Sequence, residues 1–155
     1  MDNKERNEII LKTVCEMLEK MNHEVDKAFV EDLEDGEDQV LVGVTVANPS
    51  GLIGFRGRNL ASIQLILSLV VKNKLDKWVR VLLDVNGYRM EQKERLTRMA
   101  KSLATKVIET GVPVEMAAMS SYERRICHMA IADMEVISES EGEGEDRHIV
   151  IKPKN

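Results

Sequence analysis

Aromatic residues are nearly missing from this chain: two phenylalanines, two tyrosines and one tryptophan in 155 residues. So small a set excludes a wide aromatic platform on which several bases stack side by side. Cysteine is rarer still. Cys15 and Cys127 stand far apart with no CxxC spacing, which excludes a disulfide framework and leaves two thiols suited to a reducing cytosol. No apolar run reaches the ~18 residues of a membrane-spanning helix. The opening residues, MDNKERNE, are charged and form no secretory signal. These absences predict a cytoplasmic chain of one domain, or two very small ones.

What the chain does have is charge, unevenly placed. The net charge is -5, which taken alone disfavours a polyanionic partner. Yet residues 1–53 hold 5 Lys and Arg against 13 Asp and Glu, residues 54–106 hold 12 against 4, and residues 107–155 hold 5 against 10. A polyanion responds to local potential, because screening cuts it off beyond ~10 Å. The basic middle third can therefore bind phosphate on an acidic molecule.

Hydrophobic spacing outlines an α+β fold. Ile9, Ile10, Val14, Met17, Leu18 and Met21 predict an amphipathic helix over 5–21. Residues 25–33 and 38–47 read as two strands of a hairpin around the charged turn 34–38. A glycine-rich bend over 51–57 precedes an apolar helix over 59–72. Leu60, Ile63, Leu67 and Val70 form one face of that helix. Ile66 and Leu69 widen the face, so cover on more than one side is expected. A strand over 78–85 closes a first unit, with a boundary at Asn86-Gly87. A long helix over 90–110 follows, with Leu96, Met99, Leu103 and Val107 as its buried stripe. Its cations Arg89, Lys93, Arg98 and Lys101 point outward, and Glu91–Arg95 and Glu94–Arg98 have favourable i,i+4 order. Ser120 and Glu123 fit a capping box for a helix over 121–132. Strands over 135–138 and 147–152 then flank an acidic loop over 139–146.

The segment Ile53-Gly54-Phe55-Arg56-Gly57-Arg58 sets two glycines and two arginines at a helix start. Glycine lets backbone approach a ligand closely. The helix directs free N–H groups and its positive dipole end at the loop, and the arginines add forked donors. With two strands before it and a helix and strand after, this segment resembles the GxxG loop of a type II KH domain (αββ-GxxG-αβ). That resemblance implies a clamp on about four backbone nucleotides of single-stranded RNA or DNA. A cation is common where Phe55 stands.

On the helix at 121–132, a wheel at ~100° per residue puts Arg124, His128 and Arg125 on one side. Tyr122, Ile126, Met129 and Ala130 fall on the other. Arg124 and His128 resemble the R-x-x-x-H motif of a domain that binds single-stranded nucleic acid, built from two helices packed on a small sheet. In strand 147–152, Arg147 completes the candidate basic patch or pairs with the acidic loop. The order of the whole chain is similar to the bacterial Jag (SpoIIIJ-associated) family, with a KH domain over 1–86 and an R-x-x-x-H domain over 87–155. Many members add an N-terminal domain and charged linker. This chain is read as starting directly at the KH helix, which leaves an attachment role without its basis. The resemblance implies a single-stranded RNA-binding protein, acting as a post-transcriptional regulator or RNA chaperone. It also implies a homodimer, or a heterodimer with another small KH protein. His128, with an ordinary value near 6.5, is expected to gain charge and grip phosphate more strongly in mild acid.

No enzyme is expected. Cys127 and His128 are helix neighbours pointing ~100° apart, too divergent to pair as thiol and base. His23, His128, His148 and the two cysteines lack ligand spacing, so no metal, cofactor or small-molecule substrate is expected. The alternative is an interaction scaffold, a dimerisation module with the same two domains and little RNA binding.

Overall fold

The structure, a computed structural model, describes residues 1–33 and 38–155. The turn expected at 34–38 lies, but for Asp38, outside the described residues. The chain divides into two compact units, Met1–Arg89 and Met90–Asn155.

In the first unit α1 (Asn3–Lys20) begins where the Asp2 carboxylate accepts the Glu5 N–H at 2.7 Å, an N-cap. Its inward line is Ile10, Val14 and Leu18, all fully buried. Arg6, also buried, bonds Asp32 and Asp38, which ties α1 to the strands. β1 (Val25–Asp32) pairs antiparallel with β2 (Gln39–Val46), and β2 pairs parallel with β3 (Arg80–Val85). A parallel pair requires a crossover; here it carries the candidate loop and α3 (Arg58–Leu75). Val40, Val42, Val44 and Val46 turn inward at strand period two. This is the helix–strand–strand–helix–strand order expected from the sequence.

The inner face of α3 differs from expectation. Leu60, Ile63, Leu67, Val71 and Leu75 are buried, whereas Val70 is half-buried and Leu65, Ile66 and Leu69 are exposed. One sheet covers one stripe of a helix, and the stripe continues from Leu67 at i+4 and i+8. The expected second cover is absent among the described residues. Trp78, expected in a strand, lies before β3 and is exposed, with the Lys72 ammonium 5.8 Å from its ring centroid.

The second unit contains most of α4 (Tyr88–Thr110), which packs through Gln92, Leu96, Ala100, Ala104 and Val107. Met99 is exposed and Leu103 half-buried, so the two alanines occupy the expected places of larger residues and allow close approach. The pairs Glu91–Arg95 and Glu94–Arg98 form no ion pair among the described residues. Arg89 is not one of the outward cations, for its Nε donates to the Leu83 carbonyl at 3.0 Å and its Nη2 to Gln64. A short strand, β4 (Val114–Glu115), adds to the elements expected; it joins β6 (His148–Pro153), whose other edge pairs with β5 (Val136–Glu141), all antiparallel. The acidic run is partly strand, because residues 139–141 pair with 148–150 of β6, and Glu139 and Glu141 share Lys152 at 2.7 and 3.1 Å. α5 (Ser121–Ile131) completes the two helices on an antiparallel sheet that the sequence predicts.

Candidate nucleic-acid interface

The bend at 51–57 is two short helical pieces. One turn, α2 (Ser50–Ile53), buries Leu52. Ile53, counted among the loop's candidate contacts, is half-buried and packs on the core of the first unit. A tight turn over Phe55–Gly57 follows, with Gly54 at φ 70°, Arg56 at φ 52° and Gly57 at φ 76°. A Cβ on Gly54 would lie 2.5 Å from Cγ of Asn59, and one on Gly57 would lie 3.2 Å from Cε1 of Tyr88. Both glycines therefore answer to left-handed backbone and to close neighbours at once. Asn59 also bonds the Gly51 carbonyl at 2.9 Å, closing the loop's base.

Phe55 stands out at the tip, 71% exposed, with the Arg56 guanidinium 5.2 Å from its ring centroid, within cation–π range. The Arg58 side chain is exposed and makes no hydrogen bond or ion pair among the described residues. No side chain caps α3 at Gly57; the Arg58 N–H donates to the Phe55 carbonyl, and the positive end of an 18-residue helix dipole lies at the loop. Three consecutive elements thus present positive potential at one point.

On α5 the capping box is complete. Glu123 N–H donates to Ser120 Oγ at 3.3 Å, and Ser120 N–H donates to Glu123 Oε2 at 2.8 Å. Arg124 is half-buried, its Nη1 donating to the Met119 carbonyl at 2.8 Å. Arg125 is exposed and makes no hydrogen bond or ion pair among the described residues. His128 lies between two serines of β5, with Nδ1 2.7 Å from Ser138 Oγ and Nε2 3.0 Å from Ser140 Oγ. Arg147 is not in a strand. It precedes β6, and its Nη1 donates to the Gly142 carbonyl at 2.8 Å, so its guanidinium closes the β5–β6 turn instead of standing beside Arg124.

Burial, and next the charge of Arg124, push His128 below its ordinary value. The histidine therefore stays neutral further into acid than the sequence alone suggests. The unfolded chain, titrating near 6.5, takes up the proton first. Stability is then full above about pH 6.5 and falls as pH drops toward the folded value. Thermal unfolding at pH 7.5 and 5.5 should show a larger acid loss for the native chain than for His128→Asn. Equal losses would contradict this placement. Cys127 is buried, and burial followed by Glu123 raises its thiol to about 11. It is no thiolate near neutral pH, and both ring nitrogens of its neighbour are already held by serines.

The sequence reading missed two groupings that only strand register and packing create. Glu115, Glu141 and His148 bring ligand atoms within 4.8 Å of one another. Glu115 is exposed and Glu141 already accepts from Lys152, while His148 Nε2 is buried 3.9 Å from Glu115 Oε1 with no hydrogen-bond partner among the described residues. The second grouping is on α5, where Tyr122 and Met129 remain exposed although the wheel places them on the apolar side. The buried arc is Glu123, Ile126, Cys127 and Ile131.

Residues 94–153 match the R-x-x-x-H domain family. The chain is 36% identical over 154 residues to the RNA-binding protein KhpB of Clostridium symbiosum, covering 96% of this chain and 68% of that one. It is 30% identical over 125 residues to KhpB of Bacillus subtilis (strain 168), covering 79% and 60%. It is 35% identical over 104 residues to KhpB of Streptococcus pneumoniae serotype 2, covering 66% and 32%. The chain thus spans only part of the length of these curated relatives.

Proposed function

The chain belongs to the KhpB (Jag) family, and on that premise we propose that it binds single-stranded RNA and carries out no chemistry on it. The observation that carries this reading is the Gly54–Gly57 turn. It sets an exposed Phe55, Arg56 and Arg58 at the uncapped start of α3. The first unit is read as a KH domain, with Gly54, Phe55, Arg56, Gly57 and Arg58 as its backbone clamp. Arg124, Arg125 and His128 form a second contact surface in the R-x-x-x-H domain, Arg125 as the exposed cation and His128 as a neutral ring whose two nitrogens Ser138 and Ser140 hold in place. A protein of this kind acts in the bacterial cytoplasm as a post-transcriptional regulator or RNA chaperone. No helix among the described residues is long and apolar enough to cross a membrane.

A clamp on about four phosphates predicts a salt slope near 0.7 per contact, so affinity should fall about 50-fold between 50 and 200 mM salt. Fluorescence anisotropy with a labelled 12-nucleotide RNA measures it. A second reading, an interaction scaffold that pairs with its own copy or another small KH protein, is favoured by the exposed Leu65, Ile66 and Leu69 of α3. It predicts no RNA binding at either salt concentration.

A further inference from the structure

None of the five aromatic side chains is buried: Phe29, Phe55, Trp78 and Tyr122 are exposed and Tyr88 is half-buried. The cores are built from aliphatic residues instead, although phenylalanine is among the residues most often found inside. Most of these rings have a local partner. Phe29 lies over Gly43, where a Cβ would come within 2.2 Å of the ring. Trp78 carries Lys72, Phe55 carries Arg56, and Tyr88 abuts Gly57. Tyr122, 49% exposed, has no hydrogen bond or cation–ring contact among the described residues.

Its position on α5 gives it a setting. Turning around the helix at ~100° per residue, the arc opposite the buried one runs from Arg124, half-buried on the Met119 carbonyl, through His128, held by Ser138 and Ser140, to the exposed Arg125, Met129 and Tyr122. Met129 is 68% exposed. The buried arc is already filled by Glu123, Ile126, Cys127 and Ile131, so packing against the sheet does not account for the tyrosine or the methionine. One side of the exposed arc is cationic and the other is a ring beside a thioether, with the Arg125 guanidinium between them. This is the chemistry of an unstacked nucleotide. Its phosphate meets arginine, and its base meets a flat ring, a polarisable sulfur and a planar cation.

We propose that the Tyr122–Met129 edge of α5 is a nucleobase-stacking subsite, which holds one flipped-out base of the RNA whose backbone Arg124 and Arg125 face. The subsite rests on the reading of this chain as an RNA-binding protein. Stacking is sequence-tolerant, since every base has a π-face, so the subsite adds affinity without reading a particular letter.

The test uses the full chain and the labelled 12-nucleotide RNA, beside an oligomer of the same length carrying abasic sites throughout. Tyr122→Ala should weaken binding to the normal RNA about tenfold, leave the salt slope unchanged, and leave affinity for the abasic oligomer as in the native chain. Tyr122→Phe should restore binding, because the ring and not the hydroxyl is used. The melting temperature of both variants should match the native chain, as the side chain is exposed. Undiminished affinity of Tyr122→Ala for normal RNA would overturn the subsite while leaving RNA binding intact. An equal loss on the abasic oligomer would overturn stacking in favour of a backbone contact. A native chain that binds neither oligomer would overturn the RNA-binding reading itself.

Discussion

Replacing Phe55 and Arg56 together with aspartate should weaken single-stranded RNA binding by about 100-fold or more at moderate salt. One charge-assisted contact to phosphate contributes about 1.5–3 kcal/mol, and the two carboxylates add repulsion at the point where the α3 dipole is aimed. The fold should not suffer. Both side chains are exposed, and Arg56 sits at φ 52°, a conformation that aspartate tolerates better than most residues. Anisotropy gives the affinity, and circular dichroism on the same samples gives the unfolding transition. Retained binding with an unchanged melt would remove the loop from the interface. Lost binding with a lost melt would show that the turn is structural.

Glu123→Ala should cost the second unit about 2–4 kcal/mol. Glu123 is buried, with one oxygen accepting the Ser120 N–H and the other accepting from Gln92 Nε2 at 2.9 Å. Alanine removes half of the capping box, worth about 1 kcal/mol. It also strands the amide of Gln92, itself buried, at a further 1–3 kcal/mol or so. For a unit of this size that lowers the melting temperature by roughly 10 °C or more. Glu123→Gln retains an acceptor and should lose much less. A change of under about 0.5 kcal/mol for the alanine variant would mean that this network does not hold α5 against α4. Because Arg124, Arg125 and His128 share α5, RNA affinity should fall with the alanine variant even though Glu123 faces away from the ligand.

Strong local signals were legible. Ser120 and Glu123 three residues apart can bond reciprocally only at a helix start, and the structure has that box. Valine at alternate positions in 40–46 requires a strand with one inward face. Glycines at 54 and 57 fit a turn in left-handed backbone, and they occupy one. Partners distant along the chain were not legible. Nothing in sequence spacing sets Gln64 against Arg89, or Ser138 and Ser140 against His128. Arg89 therefore reads as an outward cation when the Leu83 carbonyl already holds it, and spacing left Arg147 open between the basic patch and the acidic loop, where the Gly142 carbonyl holds it. The stripe of α4 was misread for a related reason: alanine has weak hydrophobicity and so does not mark an inward face by itself, yet Ala100 and Ala104 are fully buried.

Periodicity, capping and glycine placement act over a few residues, so the sequence by itself determined the order of the main elements, the α+β class and the basic middle third. The tertiary structure alone decided which cations are committed, that His128 stays neutral between two serines, and that Tyr122 stands bare on α5. Burial and hydrogen bonding depend on what the chain brings back from far along its length, and no local pattern records that.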